Sequence, residues 1–413
     1  MRRSIHEGFG TRAQLLASQI LGQVMPIATI PLLTRLLDPV EMGHYQIALS
    51  IALIALPFAI FQTDVFVPVA HNEFEVTTLV RRALLSTSIF ALFAATISFF
   101  ISSGGGLELA ASTFLLTAAM SLNSVANSIL IRKSDIPKLI QRNIFGGAFV
   151  AITQAVFTIL HPSAISLGLG MVVGRAISQI LLKSTKSCEP HPNHVEVSKG
   201  FLRALIGSGA NALGTFASQM PMLLVAPLYG AASAGYLGLS QRVVGAPTGL
   251  IGQGINQIIV ADASAIIRSG NGKLWAGLRR QIVLLLSFSV AAAVALAIIA
   301  PPLTPWVFGA LWAPAGEYIQ ILALPMCLQL VAVPMVPLMA MLGMQRELFC
   351  LQVLRIVCIT VCVLAGATFS LGMSSTVTLI SVVWTMAYCA TIALAIVAIR
   401  KYDLQALRAR NGQ

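Results

Sequence analysis

Long apolar runs separated by short polar or Gly/Pro-containing breaks recur almost from end to end of this chain. They fall at 12–37, 43–70, 79–102, 107–131, 141–160, 163–182, 201–229, 234–261, 281–309, 317–342, 348–370 and 375–399. A helix needs about 20 mostly apolar residues to cross a bilayer core of about 30 Å. The pattern therefore predicts an all-α polytopic membrane protein with about twelve transmembrane helices. The longest polar connector, 183–200, comes after the sixth run. It predicts two six-helix bundles, 1–182 and 201–413, the second ending in a short tail.

Composition agrees and closes the soluble option. Of the 413 residues 57% are hydrophobic and 10% charged, against about 25% charged in soluble domains. The net charge of +12 raises the question of nucleic acid, but the positions of the basic residues answer it. With the amino terminus inside, all Lys and Arg except Arg35, Arg175, Arg242 and Arg355 fall in inner segments such as Arg81-Arg82 and Arg279-Arg280. Outer connectors such as Gly230 to Ser233 carry none. That asymmetry places both termini in the cytoplasm and makes the basic excess a matter of topology and anionic lipid contact. The first run lacks a cleavage-site pattern and reads as a retained helix.

Five of the six cysteines lie in or at apolar runs and Cys188 lies in the connector, so no disulfide framework is implied. Cys188, His191 and His194 read as a solvated linker in preference to a metal cluster. Neither metal, cofactor nor catalytic residue is expected.

A shift of 192 residues, the separation of Gly43 and Gly235, also superposes Leu32 on Leu224 and Leu36 on Leu228. It aligns the first and seventh spans, each with two prolines: Pro26 and Pro31, Pro221 and Pro227. Six spans per half give parallel repeats related by an axis along the membrane normal, with substrate expected between the halves. Proline within a span bends the helix and frees a carbonyl. Pro31 and Pro227 are thus gating candidates, although prolines are common in membrane helices for no such reason.

Four arginines remain inside the spans. Each costs about 2.5–3.5 kcal/mol at a helix centre on insertion scales, so something must offset it. Arg35 and Arg355 are close enough to span ends to snorkel. Arg175 and Arg242 lie deeper and favour a polar interior. The acid well inside a span is Asp64, the one candidate for ion coupling. A net cationic interior predicts an anionic guest. On a helical wheel Arg242, Gly245, Gly249, Gln253 and Asn256 share one face, as do Asn211, Thr215 and Gln219. Thr117, Ser121, Ser124 and Ser128 form a third stripe. Such stripes either bind a ligand or glue helices, and Gly170 and Gly174 read as a packing pair. Together these residues suit a phosphate plus sugars: a guanidinium fork and neutral hydrogen-bonding partners.

The run PLLTRLLDPVEMGHYQIALS from Pro31 to Ser50 resembles the first outer loop of the bacterial polysaccharide (O-antigen type) flippase family of the multidrug/oligosaccharidyl-lipid/polysaccharide (MOP) exporter superfamily. The likeness rests on Arg35-Leu36-Leu37, Pro39 and Gly43-His44-Tyr45. GYLGLSQRVVGAP from Gly235 to Pro247 is similar to that family's eighth helix, and Asp64 before Val67-Pro68 fits loosely. The resemblance implies a pair of six-helix bundles that moves a polyprenyl-pyrophosphate-linked oligosaccharide from the cytoplasmic to the outer leaflet of the bacterial inner membrane. It implies a lipid-linked glycan substrate, membrane lipids and a polysaccharide polymerase or assembly proteins as partners. The expected substrate residues are Arg242, Arg175, Arg35, Asn211, Gln219, Gln253 and Asn256.

Two other readings compete. A multidrug/cation antiporter of the same superfamily would want an acidic pocket. A membrane glycan polymerase would want a large outer loop with catalytic acids or bases, whereas Glu41, Glu108 and Glu317 are isolated rim acids with a solvated role.

Overall fold

The computed structural model describes residues 14, 17–70, 73–101, 106–133, 135–181, 201–269 and 273–411. Side chains at 65, 69, 201–212, 246, 250, 253, 257, 261, 265, 269 and 408–411 lie outside that description, as does the 183–200 connector with Cys188, His191 and His194.

Among the described residues twelve long helices succeed one another: α1 (Ala17–Leu36), α2 (Pro39–Ile60), α3 (Glu73–Ile101), α4 (Gly106–Arg132), α5 (Ile136–Leu160), α6 (Ala164–Leu181), α7 (Phe201–Tyr229), α8 (Ala231–Arg268), α9 (Leu274–Phe308), α10 (Ala313–Met341), α11 (Gln345–Thr368) and α12 (Met373–Asn411). No strand occurs among the described residues. Eleven of these helices are long and apolar enough to cross a membrane, and the chain is a multi-pass membrane protein. Large apolar side chains such as Phe93, Phe100, Ile298 and Trp306 are exposed on their outer faces, as lipid contact requires.

Local signals explain where the helices begin. Asp38 caps α2, its side chain accepting from the Glu41 amide at 2.8 Å, with Pro39 in the first turn. The span expected at 43–70 is not one helix. α2 stops at Ile60, and Phe61 and Gln62 adopt left-handed backbone at φ 49° and 53°. A short helix, Thr63–Phe66, and a 3₁₀ turn, Val67–Val69, come next. The carbonyls exposed by this break are taken up by side chains. Ser86 and Thr87 of α3 donate to the Ala59 carbonyl at 2.6 and 3.2 Å, and Arg132 of α4 donates to Val67 and Ala70 carbonyls.

α1 turns at Thr29, whose hydroxyl donates to the Pro26 carbonyl at 2.9 Å, and Pro31 opens the segment Ile30–Leu36. α7 differs. It runs as one helix over Phe201–Tyr229 with Pro221 and Pro227 inside it, so the two proline-bearing spans are not matched breaks.

The chain forms two compact units, Met1–Gly235 and Tyr236–Gln413. α7 and the first turn of α8 thus belong to the first unit, and the unit boundary lies beyond the connector 183–200 expected to carry it. Within the first unit glycines set the close contacts. A Cβ on Gly170 would lie 2.6 Å from Gln154 Cα and one on Gly174 2.6 Å from Val150 Cα, which makes them the packing pair expected between α5 and α6. Gly22 of α1 and Gly147 of α5 meet backbone to backbone in the same way. At the start of α2, a Cβ on Gly43 would lie 2.7 Å from the Ala231 carbonyl carbon, and one on Gly235 3.0 Å from that of Pro39. Pro39 and Ala231 are separated by the same 192 residues as the two glycines. The repeat visible in the sequence therefore closes on itself as a reciprocal contact.

The second unit is built on a core of Ile259 and Ala263 (α8), Leu274, Leu278 and Ile282 (α9), Val331 to Met339 (α10) and Ile392 to Ile399 (α12). The Asp403 carboxylate of α12 caps α9, accepting from the Leu274 and Trp275 amides at 2.8 and 2.9 Å. Arg400 stacks over the Trp275 ring at 5.2 Å from its centroid.

Candidate functional site

Arg35 is exposed in the last turn of α1. Asp64 is exposed as well. It sits in the short Thr63–Phe66 helix after the left-handed turn and not within a continuous span. A left-handed pair of non-glycine residues gives no apolar interruption to read, so the sequence pattern ran on through it.

Arg242 lies in the second unit, half-buried, inside a π-helical stretch of α8, Gln241–Gly245. A π-bulge adds one residue to a helical turn and recurs at functional sites. One inserted residue turns the helix on its C-terminal side by about 100° relative to the N-terminal side. The single polar face expected from Arg242 through Asn256 is therefore broken at Arg242. A Cβ on Gly245, the last residue of the bulge, or on Gly249 or Gly254 beyond it would meet nothing within 4 Å. Gln241 Nε2 and Asn256 Oδ1 are buried without a hydrogen-bond partner. The Gln253 and Asn211 side chains lie outside the described residues.

The amide of Gln219 has a structural partner: its Oε1 accepts from Ser50 Oγ of α2 at 2.9 Å, joining α7 to α2. The α4 stripe packs likewise. Thr117 donates to the Thr113 carbonyl and Ser121 pairs with Thr87, both fully buried. Glu41 is no solvated rim acid. Its Oε2 accepts from the Ala164 amide at 2.8 Å, capping α6 from α2, with His44 Nδ1 3.8 Å from Oε1. Arg355 stands ten residues into α11, about 15 Å from its start at 1.5 Å per residue, deeper than a snorkelling residue. Its Nε lacks a partner.

Arg175 is half-buried on α6, and there the structure adds a residue that span boundaries had hidden. α5 begins at Ile136, with Pro137 in its first turn. Arg142, counted with the inner-end basic residues because it stands at the edge of the expected span 141–160, is therefore six residues into the helix and only 6% exposed. Its Nη2 donates to Asn123 Oδ1 of α4 at 3.5 Å, and its Nε has no partner. The helix-start signal of a proline after Asp135-Ile136 was available in the sequence and would have moved Arg142 inward. No described carboxylate lies within ion-pair distance of Arg142 or Arg175. No group of three potential metal-ligating side chains occurs among the described residues, and the five described cysteines are free. The chemistry offered is a set of guanidinium groups and neutral amides, which fits phosphate or carboxylate and repels cations.

A profile for the family described as "Polysaccharide biosynthesis protein" matches residues 32–317. The chain belongs to this family. No curated protein sequence matches it. Among solved structures this member of the family is similar to the lipid II flippase MurJ in an inward closed conformation. The TM-score is 0.69 at 14% identity, over 97% of this chain and 91% of that one. It is also similar to an inward-facing multidrug resistance MATE family transporter of the MOP superfamily, with a TM-score of 0.62 at 13% identity over 95% of each chain. A third relative is a MOP superfamily transporter from Pyrococcus furiosus, described as having a binding pocket of reverse polarity. Its TM-score is 0.57 at 13% identity, over 95% of this chain and 96% of that one. The fold is that of the MOP superfamily, and these neighbours are transporters and flippases.

Proposed function

We propose that the protein is a flippase that moves a polyprenyl-pyrophosphate-linked oligosaccharide from the cytoplasmic to the outer leaflet of the bacterial inner membrane, by alternating access, for surface or exopolysaccharide synthesis. Both termini are cytoplasmic in this reading. Arg242, Arg175 and Arg35 bind the charged head group, Asn256 and Gln253 meet sugar hydroxyls, and the prenyl chain stays in lipid.

The observation that carries the reading is the combination of polysaccharide-family membership with intramembrane cations that lack described carboxylate partners at Arg142 and Arg175. A cationic drug would be repelled by such a site, which disfavours the antiporter alternative. The outer connectors are short: three residues join α5 to α6 and one joins α7 to α8. They leave little room for the catalytic loop of a polymerase. Partners in this reading are the glycan lipid, membrane lipids and a polysaccharide polymerase or assembly protein.

Arg242→Ala tests it in cells. The variant should reach the membrane at normal abundance and fail to support polysaccharide export in a strain lacking the native protein. Export at the wild-type level would reject the head-group role.

A further inference from the structure

Nothing in the local sequence stops α2 at Ile60. The stretch Ile60-Phe61-Gln62-Thr63 contains neither glycine nor proline, and helix resumes at once over Thr63–Phe66. Between Pro39 and Phe66 the residues that leave helical geometry are Phe61, at φ 49° and ψ 45°, and Gln62, at φ 53° and ψ 25°. For a residue with a Cβ, each left-handed conformation is disfavoured about five- to thirtyfold against the right-handed one. Where a helix simply ends this way, glycine or asparagine is the usual residue. Local preference and observed backbone disagree here, and such disagreements collect at functional or strained sites.

Contacts from neighbouring helices hold the break. In an unbroken helix the Ala59 carbonyl would accept from the Thr63 amide and the Ile60 carbonyl from that of Asp64. Hydroxyls occupy both instead: Ser86 and Thr87 of α3 donate to Ala59 at 2.6 and 3.2 Å, and Thr63 donates its own hydroxyl to Ile60. A carbonyl oxygen has two lone pairs, so these hydroxyls can stay in place while an amide joins them. Arg132 of α4 differs. Its guanidinium donates to the Val67 carbonyl at 3.4 Å and to that of Ala70, at the far end of the segment, and a swing of the segment away from α4 breaks both bonds. We infer that Phe61-Gln62 is a hinge with two states, the broken one observed and one in which α2 runs unbroken through Phe66, and that Arg132 is the latch of the broken state. The pivoting piece, Thr63 to Ala70, carries Asp64, which lies in line with α2 in one state and beyond its end in the other. The hinge requires no particular cargo, and its part in moving a glycan lipid rests on the flippase reading.

Hydrogen exchange at the Thr63 and Asp64 amides tests the hinge in the purified full-length protein in lipid nanodiscs. The first amides of a helix have no partner within it, so both exchange readily in the broken state and slowly in the unbroken one. Arg132→Gln removes the latch, which weights the equilibrium about ten- to a hundredfold for hydrogen bonds from a charged group, and should slow exchange at both amides several-fold. Gln62→Val should slow it too, because a β-branched residue resists left-handed backbone, and it leaves α4 untouched. Gln62→Gly favours the broken state and, combined with Arg132→Gln, should return exchange towards the wild-type rate. An ordinary helix end predicts the opposite: without its Arg132 contacts the segment frays and exchange there quickens. Exchange that is faster or unchanged in the folded variants overturns the inference.

Translocation of the lipid by Gln62→Gly separates the hinge from the flippase reading. A hinge used in transport predicts a rate several-fold below wild type. An unchanged rate, with exchange behaving as a hinge requires, takes the hinge out of the transport cycle. Failure of the wild-type protein itself to move the lipid counts against the flippase reading and leaves the exchange result to decide the hinge.

Discussion

The reciprocal contact of Gly43 and Gly235 gives a prediction whose size comes from the coordinates. A methyl group at position 43 would sit 2.7 Å from the Ala231 carbonyl carbon, and one at position 235 would sit 3.0 Å from that of Pro39. Carbon atoms in good contact are about 3.5–4.0 Å apart, and the Ala231 and Pro39 carbonyl oxygens lie closer still to the added methyl, so either substitution to Ala requires the two helix starts to part by more than about 1 Å. Because both partners are backbone, no rotamer change relieves the overlap. Overpacking costs about 1–3 kcal/mol, against about 1 kcal/mol that Ala gains over Gly inside a helix. With no side chain free to yield, Gly43→Ala and Gly235→Ala should each lose about 2 kcal/mol, from the upper end of that range. Thermal unfolding in detergent should show a midpoint lower by a few degrees. Gly249→Ala and Gly254→Ala, where a methyl group meets nothing within 4 Å, should match or exceed wild type. Once one methyl has parted the helices the second costs little, so the double variant should fall well short of the sum of the singles. Strict additivity, or a Gly43→Ala midpoint equal to that of Gly249→Ala, would refute the contact.

Two further substitutions probe caps supplied from distant helices. Asp403→Ala removes both acceptors at the start of α9 and should cost about 1–2 kcal/mol, read as faster hydrogen exchange at the Leu274 and Trp275 amides. Protection unchanged there would remove the cap. Glu41→Gln keeps an acceptor for the Ala164 amide but drops the charge at the α6 N-terminus, so it should cost about 0.3–1 kcal/mol at low salt and less as salt rises. A salt-independent loss in thermal unfolding would show that the charge is not what Glu41 contributes.

Helix number and class were legible in the sequence because lipid imposes a single requirement, a continuous apolar stretch about 20 residues long, and each expected span overlaps a helix. The repeat was legible in part: Gly43 and Gly235, 192 residues apart, are constrained by one shared contact, whereas the prolines of the first and seventh spans are not equivalent. Failures came where local backbone geometry carries no apolar signature. The break at Phe61-Gln62 moved Asp64 out of its span, and the π-bulge at Gln241–Gly245 rephased α8. Arg142 was hidden because hydropathy starts a helix at its first apolar run, whereas the chain starts α5 at the proline. Polar stripes divided by context. Gln219 and Ser121 hold helices together, a role that becomes visible only when the partner helix is known.

The most direct measurement of the transport claim is translocation of a fluorescent polyprenyl-pyrophosphoryl oligosaccharide in liposomes holding the purified protein. Label reached by an external quencher is monitored over time, with proton and sodium gradients imposed in turn. The wild-type protein should move the lipid faster than protein-free liposomes under at least one of these conditions, and Arg242→Ala should not. Folded wild-type protein that leaves the lipid where it was inserted under all of them, or an Arg242→Ala variant that moves it equally fast, would contradict the account.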